Sequence, residues 1–329
     1  MLYFKPMSGE VVCISHKEDA DGIGAASLIK QAFGGSTKLV DYTNMMDILE
    51  GLKNESLQTL YICDLGLSKA IQDKFIDVLT ALRNKGVEIT YIDHHDIDET
   101  IKKKIESLGV NFVHKTDECT TVHVYNTYKS KLDGNSSFLA SIGAITDHME
   151  DKPIASSLIE GFDWLFTLLE STILAYIITS HQKDDEYLVN LVDSLSKSMY
   201  PHEILNAFEF VNQQARKITE AIEYIKKNMK LMSNLACVDI TGYDVVVVNF
   251  VPGLAGKDVG ITYKLRPENG IYVLSIRGTK SCKIHLGRLV NTVTTELGGS
   301  GGGHEKMCGG SIPKDKIDAF LKRFDSKLA

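Results

Sequence analysis

The sequence predicts an α/β protein with a largely parallel N-terminal sheet covered by helices on both faces, a helical connector, and a smaller C-terminal α/β domain with a mixed sheet. Strand-like and helix-like segments alternate up to about residue 150, which favours a parallel sheet. Helical patterns alone continue to about residue 230, and strand patterns return near residue 236. We therefore expect domains at residues 1–152 and 236–329, joined by a connector at residues 153–235.

The elements of the first domain follow from periodicity and from boundary residues. Short apolar runs rich in β-branched and aromatic residues predict strands, and amphipathic stretches that end at glycine predict helices. The predicted strands lie at residues 11–15, 38–42, 59–65, 87–92 and 110–114, and the predicted helices at 23–33, 71–83, 121–131 and 138–145.

The rest of the chain is predicted in the same way. A long helix is expected at residues 203–229, strands at 245–250, 271–277 and 283–286, and a closing amphipathic helix at 314–324. Residues 251–258 lack the first glycine and the final Ser or Thr of a P-loop, so a helix is expected to begin at Gly256 instead. The most apolar window, residues 158–178, contains Glu160, Asp163 and Glu170, which favours a packed helix over a membrane span.

Composition limits the classes of function. A net charge of −7 argues against a protein that holds long nucleic acids mainly through their phosphates. The six cysteines are scattered without a Cys-x-x-Cys pair, which predicts free thiols in a reducing cytoplasm. Residues 1–6 are too short and too soon interrupted to predict a signal peptide. We expect a cytoplasmic protein with no membrane partner.

Side chains suited to divalent metals occur at or just after the ends of four predicted elements. They are His16, Asp19 and Asp21 after the first strand, Asp64 in the third, Asp93, His94 and His95 after the fourth, and Asp147 after the helix at 138–145. Each group alone could be a helix cap, a turn or a solvated helix end. Together they would form a costly anionic cluster at one sheet edge unless cations neutralised it. The mixed imidazole and carboxylate set suits manganese.

The order of these residues resembles the DHH phosphoesterase superfamily. Its pattern is His-x-x-Asp-x-Asp-Gly, then a strand Asp, then Asp-His-His, then a later Asp. The run Gly301-Gly302-Gly303-His304 is similar to the GGGH signature of the DHHA1 domain, and Arg277 matches an arginine that such domains direct at substrate. The resemblance covers both ends of the chain, which is similar to nanoRNases and bisphosphate-nucleotide phosphatases.

The resemblance implies two divalent metal ions in one site, usually Mn²⁺, with Mg²⁺ as the second choice. The implied ligands are His16, Asp19 and Asp64 for the first ion, and Asp21, the bridging Asp64, His94 and Asp147 for the second. Asp93 would orient a ligand, and His95 would face the substrate phosphate and protonate the leaving oxygen. The family usually has one or three residues between the His and the first Asp, whereas this chain has two. His16 or Asp19 could therefore lie differently, and Glu18 could replace one of them.

The C-terminal motif is expected to bind substrate. Arg277 offers a planar fork for phosphate oxygens. Gly301, Gly302 and Gly303 would let backbone N–H groups approach a phosphate or base closely, and His304 would add a donor. Residues 298–303 alone could instead be a flexible linker, but their position before His304 favours a binding element.

The leading functional hypothesis is a two-metal phosphoesterase that acts on short nucleotides: oligoribonucleotides, adenosine bisphosphate or cyclic dinucleotides. The alternatives are a RecJ-like single-strand exonuclease, a hydrolase of polyphosphate or pyrophosphate, and a non-catalytic replication scaffold. The pyrophosphatase relatives carry a basic C-terminal signature that this chain lacks. The expected partner is a short nucleotide or oligonucleotide substrate, and the resemblance also allows a homodimer.

Overall fold

The chain divides into two compact units, Met1–Val211 and Asn212–Ala329. The computed structural model describes residues 10–243 and 245–328. The expectation about a signal peptide at residues 1–6 lies outside the described residues. The predicted domain boundaries at residues 152 and 235 remain predictions. All six cysteines lie within the described residues, where they are buried and form no disulfide.

The first unit contains a five-stranded sheet. Its strands are β1 (Glu10–His16), β2 (Ser36–Val40), β3 (Leu57–Cys63), β4 (Glu88–Asp93) and β5 (Asn111–His114). They lie in the order β2-β1-β3-β4-β5, and every neighbouring pair is parallel. The parallel sheet that the alternating sequence predicted is confirmed.

Helices cover both faces of this sheet because its strands bury side chains on both sides. The helices of this unit are α1 (Ala20–Phe33), α2 (Met45–Leu52), α3 (Gln72–Asn84), α4 (Glu99–Ser107), α5 (Thr120–Tyr128), α6 (Ser136–Thr146), α7 (Pro153–Ile159), α8 (Trp164–Ser180) and α9 (Asp185–Leu195). Helix α10 (Ala207–Asn228) begins in this unit and continues into the second. In β3, Leu60 and Ile62 pack with residues of α2, α3 and α4, whereas Tyr61 and Cys63 pack with residues of α1, α6, α8 and α9. Each fully buried Leu or Ile contributes about 1.5–3 kcal/mol.

The predicted strands of this unit agree with the structure to within about two residues, but two helices were not predicted. Helix α4 is short and polar, and its buried residues are only Ile101 and Ile105. Helix α2 is also short and has no side-chain cap hydrogen bond. The long connector helix begins at Ala207 rather than at residue 203, because Pro201–Glu203 forms a separate 3-10 turn.

The second unit is built on a mixed six-stranded sheet. Its elements are β6 (Lys230–Leu231), β7 (Leu235–Asp239), α11 (Val251–Ala255), β8 (Val259–Arg266), β9 (Ile271–Gly278), α12 (Leu286–Glu296), β10 (Ser300–Gly303), β11 (Met307–Pro313) and α13 (Ile317–Ser326). The strand order is β10-β11-β9-β8-β7-β6, and only β7 and β8 pair in parallel. One face packs on α12 and α13, and the other packs on α10 and α11.

Three local predictions in the second unit are wrong. The strand expected at 245–250 does not form in these six described residues, since Val248–Phe250 is a 3-10 turn that leads into α11 with Pro252 in the first turn. Gly256 ends α11 in a left-handed conformation instead of starting a helix, as glycine commonly does. Residues 283–285 form no strand, and Leu286 begins α12 with His285 as its N-cap.

Within the part of the chain that the structure describes, no single helix is both long and apolar enough to cross a membrane. Helices α7 and α8 taken together are long and apolar enough by length and composition only, and they are bent by 109° at their junction.

Candidate metal centre

The ligand-type residues of the first unit lie at the carboxyl edge of its parallel sheet. His16 and Asp93 are the last residues of β1 and β4, and Asp64 directly follows β3. Strands β2 and β3 lie on opposite sides of β1, so the strand order reverses beside β1. Ligands of open α/β sheets bind outside the carboxyl ends of the strands at such a point.

Three carboxylates lie close to the imidazole of His94. Its Nε2 atom lies 3.5 Å from Asp64 Oδ1, 3.6 Å from Asp147 Oδ2 and 3.9 Å from Asp21 Oδ2. His94 is only 3% exposed. Asp147 reaches this point from the C-cap of α6, and Asp21 from the first turn of α1. The fold therefore brings together four residues that are far apart in the sequence.

The electrostatics of the cluster favour bound positive charge. Burial would lower the pKa of His94, but a hydrogen bond with Asp64 and the charge of Asp21 raise that pKa to about 10. Burial and the charge of Asp21 raise the pKa of Asp147 to about 8. Burial opposes ionisation of Asp64 as well, yet its hydrogen bond with His94 holds the pKa of Asp64 below its usual range. The carboxylates are crowded enough to need a proton or a cation between them.

The first turn of α5 fixes the carboxylate of Asp21. The Thr120 N–H donates to Oδ2 at 2.8 Å, and the Thr121 N–H donates to Oδ1 at 2.7 Å. These N–H groups have no partner inside the helix, and the helix dipole favours an anion at this end. Gly143 makes room for the contact, because a Cβ there would lie 2.9 Å from Thr121 Oγ1 and 3.2 Å from Asp21 Oδ1.

Asp64 leaves β3 through an unusual backbone conformation. Its φ is 56°, in the left-handed region that Asp and Asn adopt more readily than most residues. The Asp64 N–H donates to the Ile92 carbonyl at 3.1 Å, and the Thr120 hydroxyl donates to Asp64 Oδ1 at 3.0 Å. Backbone and side chain are therefore both held in place, and the carboxylate lies beside His94.

Asp93 and His95 form a hydrogen-bonded pair. His95 Nδ1 lies 2.9 Å from Asp93 Oδ1, and the His95 N–H donates to Asp93 Oδ2 at 3.2 Å. Burial would lower the pKa of His95, but Asp93 raises it to about 9. Asp93 is buried, so it fixes the orientation of the imidazole and keeps it protonated at neutral pH.

The loop after β1 places His16 close to two acids. His16 Nε2 lies 3.6 Å from Asp19 Oδ2 and 3.8 Å from Glu18 Oε2. Asp19 is the N-cap of α1 and uses its other oxygen to accept the Gly22 N–H at 2.9 Å. Since both acids are near His16, the geometry is compatible with either Asp19 or Glu18 as the metal ligand beside it.

Three residues near the cluster were not predicted from the sequence. Thr120 and Thr121 bind two of the predicted ligands, and Tyr42 packs on His16 with 5.2 Å between ring centroids. A Thr pair at the start of a predicted helix is typical of a helix N-terminus, but nothing local indicates which carboxylate that terminus contacts. The position of Tyr42 depends on the pairing of β1 with β2, which the sequence does not specify.

The predicted substrate-binding residues lie together in the second unit. Arg277 in β9 is paired with Met307 in β11, and Gly303 in β10 is paired with Cys308 in β11. Gly301, Gly302 and Gly303 are thus part of an edge strand and not of a linker, and His304 follows them directly. A Cβ on Gly287 would lie 1.9 Å from the Gly303 carbonyl oxygen, so glycine is needed where α12 packs against this strand.

A cavity of 610 Å³ elsewhere in the unit, lined by Lys257 and Asp258 among others, contains none of the predicted site residues.

The residues of the first unit fit a divalent metal site. The ligand atoms of Asp21, His94 and Asp147 all lie within 4.8 Å of one another, and so do those of Asp64, Asp93 and His95. His16 Nδ1 is buried and has no hydrogen-bond partner among the described residues. Buried carboxylates with imidazoles are a donor set that suits Mn²⁺ and related ions. The arrangement can therefore bind divalent cations from solution.

Comparison with known protein families agrees with this chemistry. The profile of the DHH family, N-terminal domain, matches residues 10–144, and the profile of the DHHA1 domain matches residues 246–329. The chain belongs to the DHH/DHHA1 superfamily. DHH proteins bind divalent metals and are phosphoesterases, so this superfamily member is a metal-dependent hydrolase of phosphoester bonds. No curated protein matches the chain.

Solved structures share the DHH/DHHA1 fold at low sequence identity. The chain is 14% identical to the pGpG-specific phosphodiesterase PggH of Vibrio cholerae, with 97% of this chain and 99% of PggH covered and a TM-score of 0.58. It is 14% identical to the DHH domain of a member of the s1p family of ribosomal proteins, with 97% and 86% covered and a TM-score of 0.71. It is 14% identical to RecJ of Thermus thermophilus in complex with Mg²⁺, with 97% and 50% covered and a TM-score of 0.54. At this identity the likenesses show the fold alone.

Proposed function

We propose that this DHH protein is a two-metal phosphoesterase that hydrolyses short nucleotides: oligoribonucleotides, adenosine bisphosphate or cyclic dinucleotides. The observation that carries the proposal is the convergence of three carboxylates on His94 Nε2, beside the loop that holds His16. A phosphate ester approaching this edge would meet strong negative charge unless cations were bound there. The site therefore suits a reaction in which cations receive phosphoryl oxygens.

In this proposal the cluster would hold two Mn²⁺ ions, or Mg²⁺ in their place. His16, Asp19 and Asp64 would hold one ion, and Asp21, Asp64, His94 and Asp147 would hold the other. Asp64 is proposed for both sets because it lies close to His94 and its pKa is held low in part by His16. When bound, the metals activate water and stabilise the negative charge that develops on the phosphoryl group.

The side chains of the protein supply the remaining functions. His95, held by Asp93 and protonated at neutral pH, donates a proton to the leaving oxygen. Asp93 acts through His95 by fixing the orientation of its ring. In the second unit, Arg277, Gly301, Gly302, Gly303 and His304 are proposed to bind substrate.

The proposed substrates are short because the chain has no net positive charge to hold a long strand. Its net charge is −7, and a protein that binds long nucleic acids through phosphates needs a basic face. PggH is a phosphodiesterase specific for pGpG, a dinucleotide, and this chain shares its fold. We also propose a cytoplasmic location and a homodimer, which fractionation and light scattering would test.

The proposal is tested by Mn²⁺-dependent turnover on an RNA trimer, a long single-stranded RNA, adenosine 3′,5′-bisphosphate, a cyclic dinucleotide and pyrophosphate. We expect the trimer, the bisphosphate or the cyclic dinucleotide to be hydrolysed fastest. Faster hydrolysis of the long strand would indicate a RecJ-like exonuclease. Hydrolysis of pyrophosphate alone would overturn the nucleotide assignment. Purified protein that binds no metal and hydrolyses no substrate would support the scaffold alternative.

A further inference from the structure

Tyr42 lies in the loop between β2 and α2, beside the predicted metal ligands. Its ring centroid lies 5.2 Å from that of His16, with 39° between the ring planes. The residue as a whole is 50% exposed. Tyr42 therefore contacts a predicted metal ligand while about half of its surface remains in solvent.

The loop that carries Tyr42 is held in place by its neighbours. The Asp41 carboxylate accepts the N–H groups of Thr43 at 2.8 Å and Asn44 at 3.2 Å, and the Asn44 side chain accepts the Asp41 N–H at 2.9 Å. Lys17, which directly follows His16, lies with Nζ 3.2 Å from Asp41 Oδ2. An aromatic ring on a fixed loop binds a partner at lower entropic cost than a ring on a mobile one.

We propose that the exposed surface of the Tyr42 ring stacks on a nucleobase of the substrate, next to the phosphate that the metal site receives. This inference rests on the proposed function and adds a specificity-determining residue to it. The cations attract a phosphate but add little binding free energy for a neutral, planar base. Stacking on an aromatic side chain stabilises a bound base, and it tolerates any of the bases. Tyr42 would thus let the enzyme distinguish nucleotides from phosphates that carry no base.

Among the described residues of the first unit, Tyr42 lies on a different element from the other exposed aromatic side chains. Trp164 and Phe166 lie on α8, and Phe208 lies on α10. Tyr42 lies in the loop that follows β2, and β2 is the parallel neighbour of β1, the strand that ends at His16. Its ring is thus an exposed aromatic surface in contact with a predicted metal ligand.

The test compares two probes on the full-length chain in the presence of Mn²⁺, adenosine 5′-monophosphate and ribose 5-phosphate, which lacks the base. By isothermal titration calorimetry, the wild type should bind the monophosphate about fivefold or more tightly than the sugar phosphate. Tyr42→Leu should remove most of this difference by weakening only the nucleotide. Tyr42→Phe and Tyr42→Trp should retain it. An unchanged ratio in Tyr42→Leu would overturn the proposal.

Two controls separate stacking from a structural role. Phe208→Leu makes a comparable change at an exposed aromatic residue outside the cluster and should leave the ratio unchanged. If Tyr42 only supported His16, Tyr42→Leu would lower the affinity for Mn²⁺ and weaken both probes equally. That result would reject stacking, so the affinity for Mn²⁺ without either probe is measured for every variant.

The binding test distinguishes failure of this inference from failure of the proposed function. A wild type that hydrolyses no nucleotide but binds the monophosphate through Tyr42 would refute the proposed reaction and retain the base contact. A wild type that hydrolyses nucleotides with the same ratio in Tyr42→Leu would refute the base contact and retain the proposed reaction.

Discussion

Asp64 combines a demanding backbone position with a predicted role as the shared metal ligand. Its φ of 56° is costly for most side chains, by about 1–2 kcal/mol, but Asn tolerates it. We expect Asp64→Asn and Asp64→Ala each to lower kcat/KM by more than about 100-fold. Only the Ala variant should also lose about 1 kcal/mol of stability, because Ala tolerates this φ less well than Asn.

These two variants are compared by activity and by urea unfolding. Activity within tenfold of the wild type in either variant would remove Asp64 from the metal site. Equal stability of the two would mean that the left-handed backbone imposes no cost.

The Asp93–His95 pair predicts a change in the pH dependence of turnover. Asp93 raises the pKa of His95, so the imidazole of the wild type keeps its proton to a higher pH than it would without Asp93. In Asp93→Asn that pKa should fall toward the ordinary value of about 6.5. Since the leaving oxygen needs a proton, kcat of the variant should begin to fall at about pH 7, below the pH at which the wild type declines. Profiles of kcat against pH that superpose would show that Asp93 does not act through His95.

Metal binding should compete with protons at His94 and Asp147. Without metal, His94 is protonated below about pH 10 and Asp147 below about pH 8. Both must lose the proton to act as ligands, so the affinity for Mn²⁺ should rise as the pH increases from about 6 to about 8. Calorimetry in buffers of different ionisation enthalpy should detect released protons. Affinity that does not change with pH would show that these groups are not ligands.

At the scale of elements, the site depends on the close packing of α1, α5 and α6. A methyl group on Gly143 would lie 2.9 Å from Thr121 Cβ and 3.2 Å from Asp21 Oδ1. We expect Gly143→Ala to cost about 1–3 kcal/mol and to weaken Mn²⁺ binding by moving α5 away from Asp21. Gly134→Ala is the matched control, because nothing lies within 4 Å of a Cβ there. Equal unfolding free energies and Mn²⁺ affinities for the two variants would contradict this account of the packing.

The elements of the first unit were predictable because the hydrophobic pattern and the fold agree. Strands β1, β3 and β4 are buried on both faces. Helices α3 and α9 each bury one apolar stripe, whereas α1 and α6 are buried along most of their length. The second unit was harder to predict. The apolar residues 245–250 have the composition of a strand, yet they lead into a short helix that begins at Val251. Strand β10 is Ser300 followed by three glycines, so it has no side-chain alternation to reveal it.

The candidate ligands were predictable for a related reason. Residues at the ends of parallel strands meet at one edge, and the sequence places Asp64 and the Asp93-His94-His95 triplet there. The contacts of Thr120 with Asp64 and of Tyr42 with His16 were not predictable. They depend on which loops meet across the sheet, and that information is not local in the sequence.

At the scale of the molecule, the cluster should couple metal binding to stability. Burial and neighbouring negative charge raise the pKa values of Asp19, Asp21 and Asp147, so keeping these three carboxylates ionised without metal opposes folding. Mn²⁺ at about 100 times its Kd should add about 2.7 kcal/mol and raise the melting temperature of the first unit. A chelator should reverse the shift. Asp64→Asn should show a much smaller response, and an identical one would mean that the metal binds elsewhere.

The two hydrogen bonds between Asp21 and the start of α5 have an evolutionary consequence. His94 and Asp147 could be replaced together in a lineage that had abandoned hydrolysis, because loss of the Asp147 carboxylate removes part of the negative charge that the proton on His94 offsets. Asp21 could not be lost as easily, because it also accepts the Thr120 and Thr121 N–H groups that begin a helix. In a descendant that serves only as a binding platform, this aspartate would be the last trace of the ancestral enzyme.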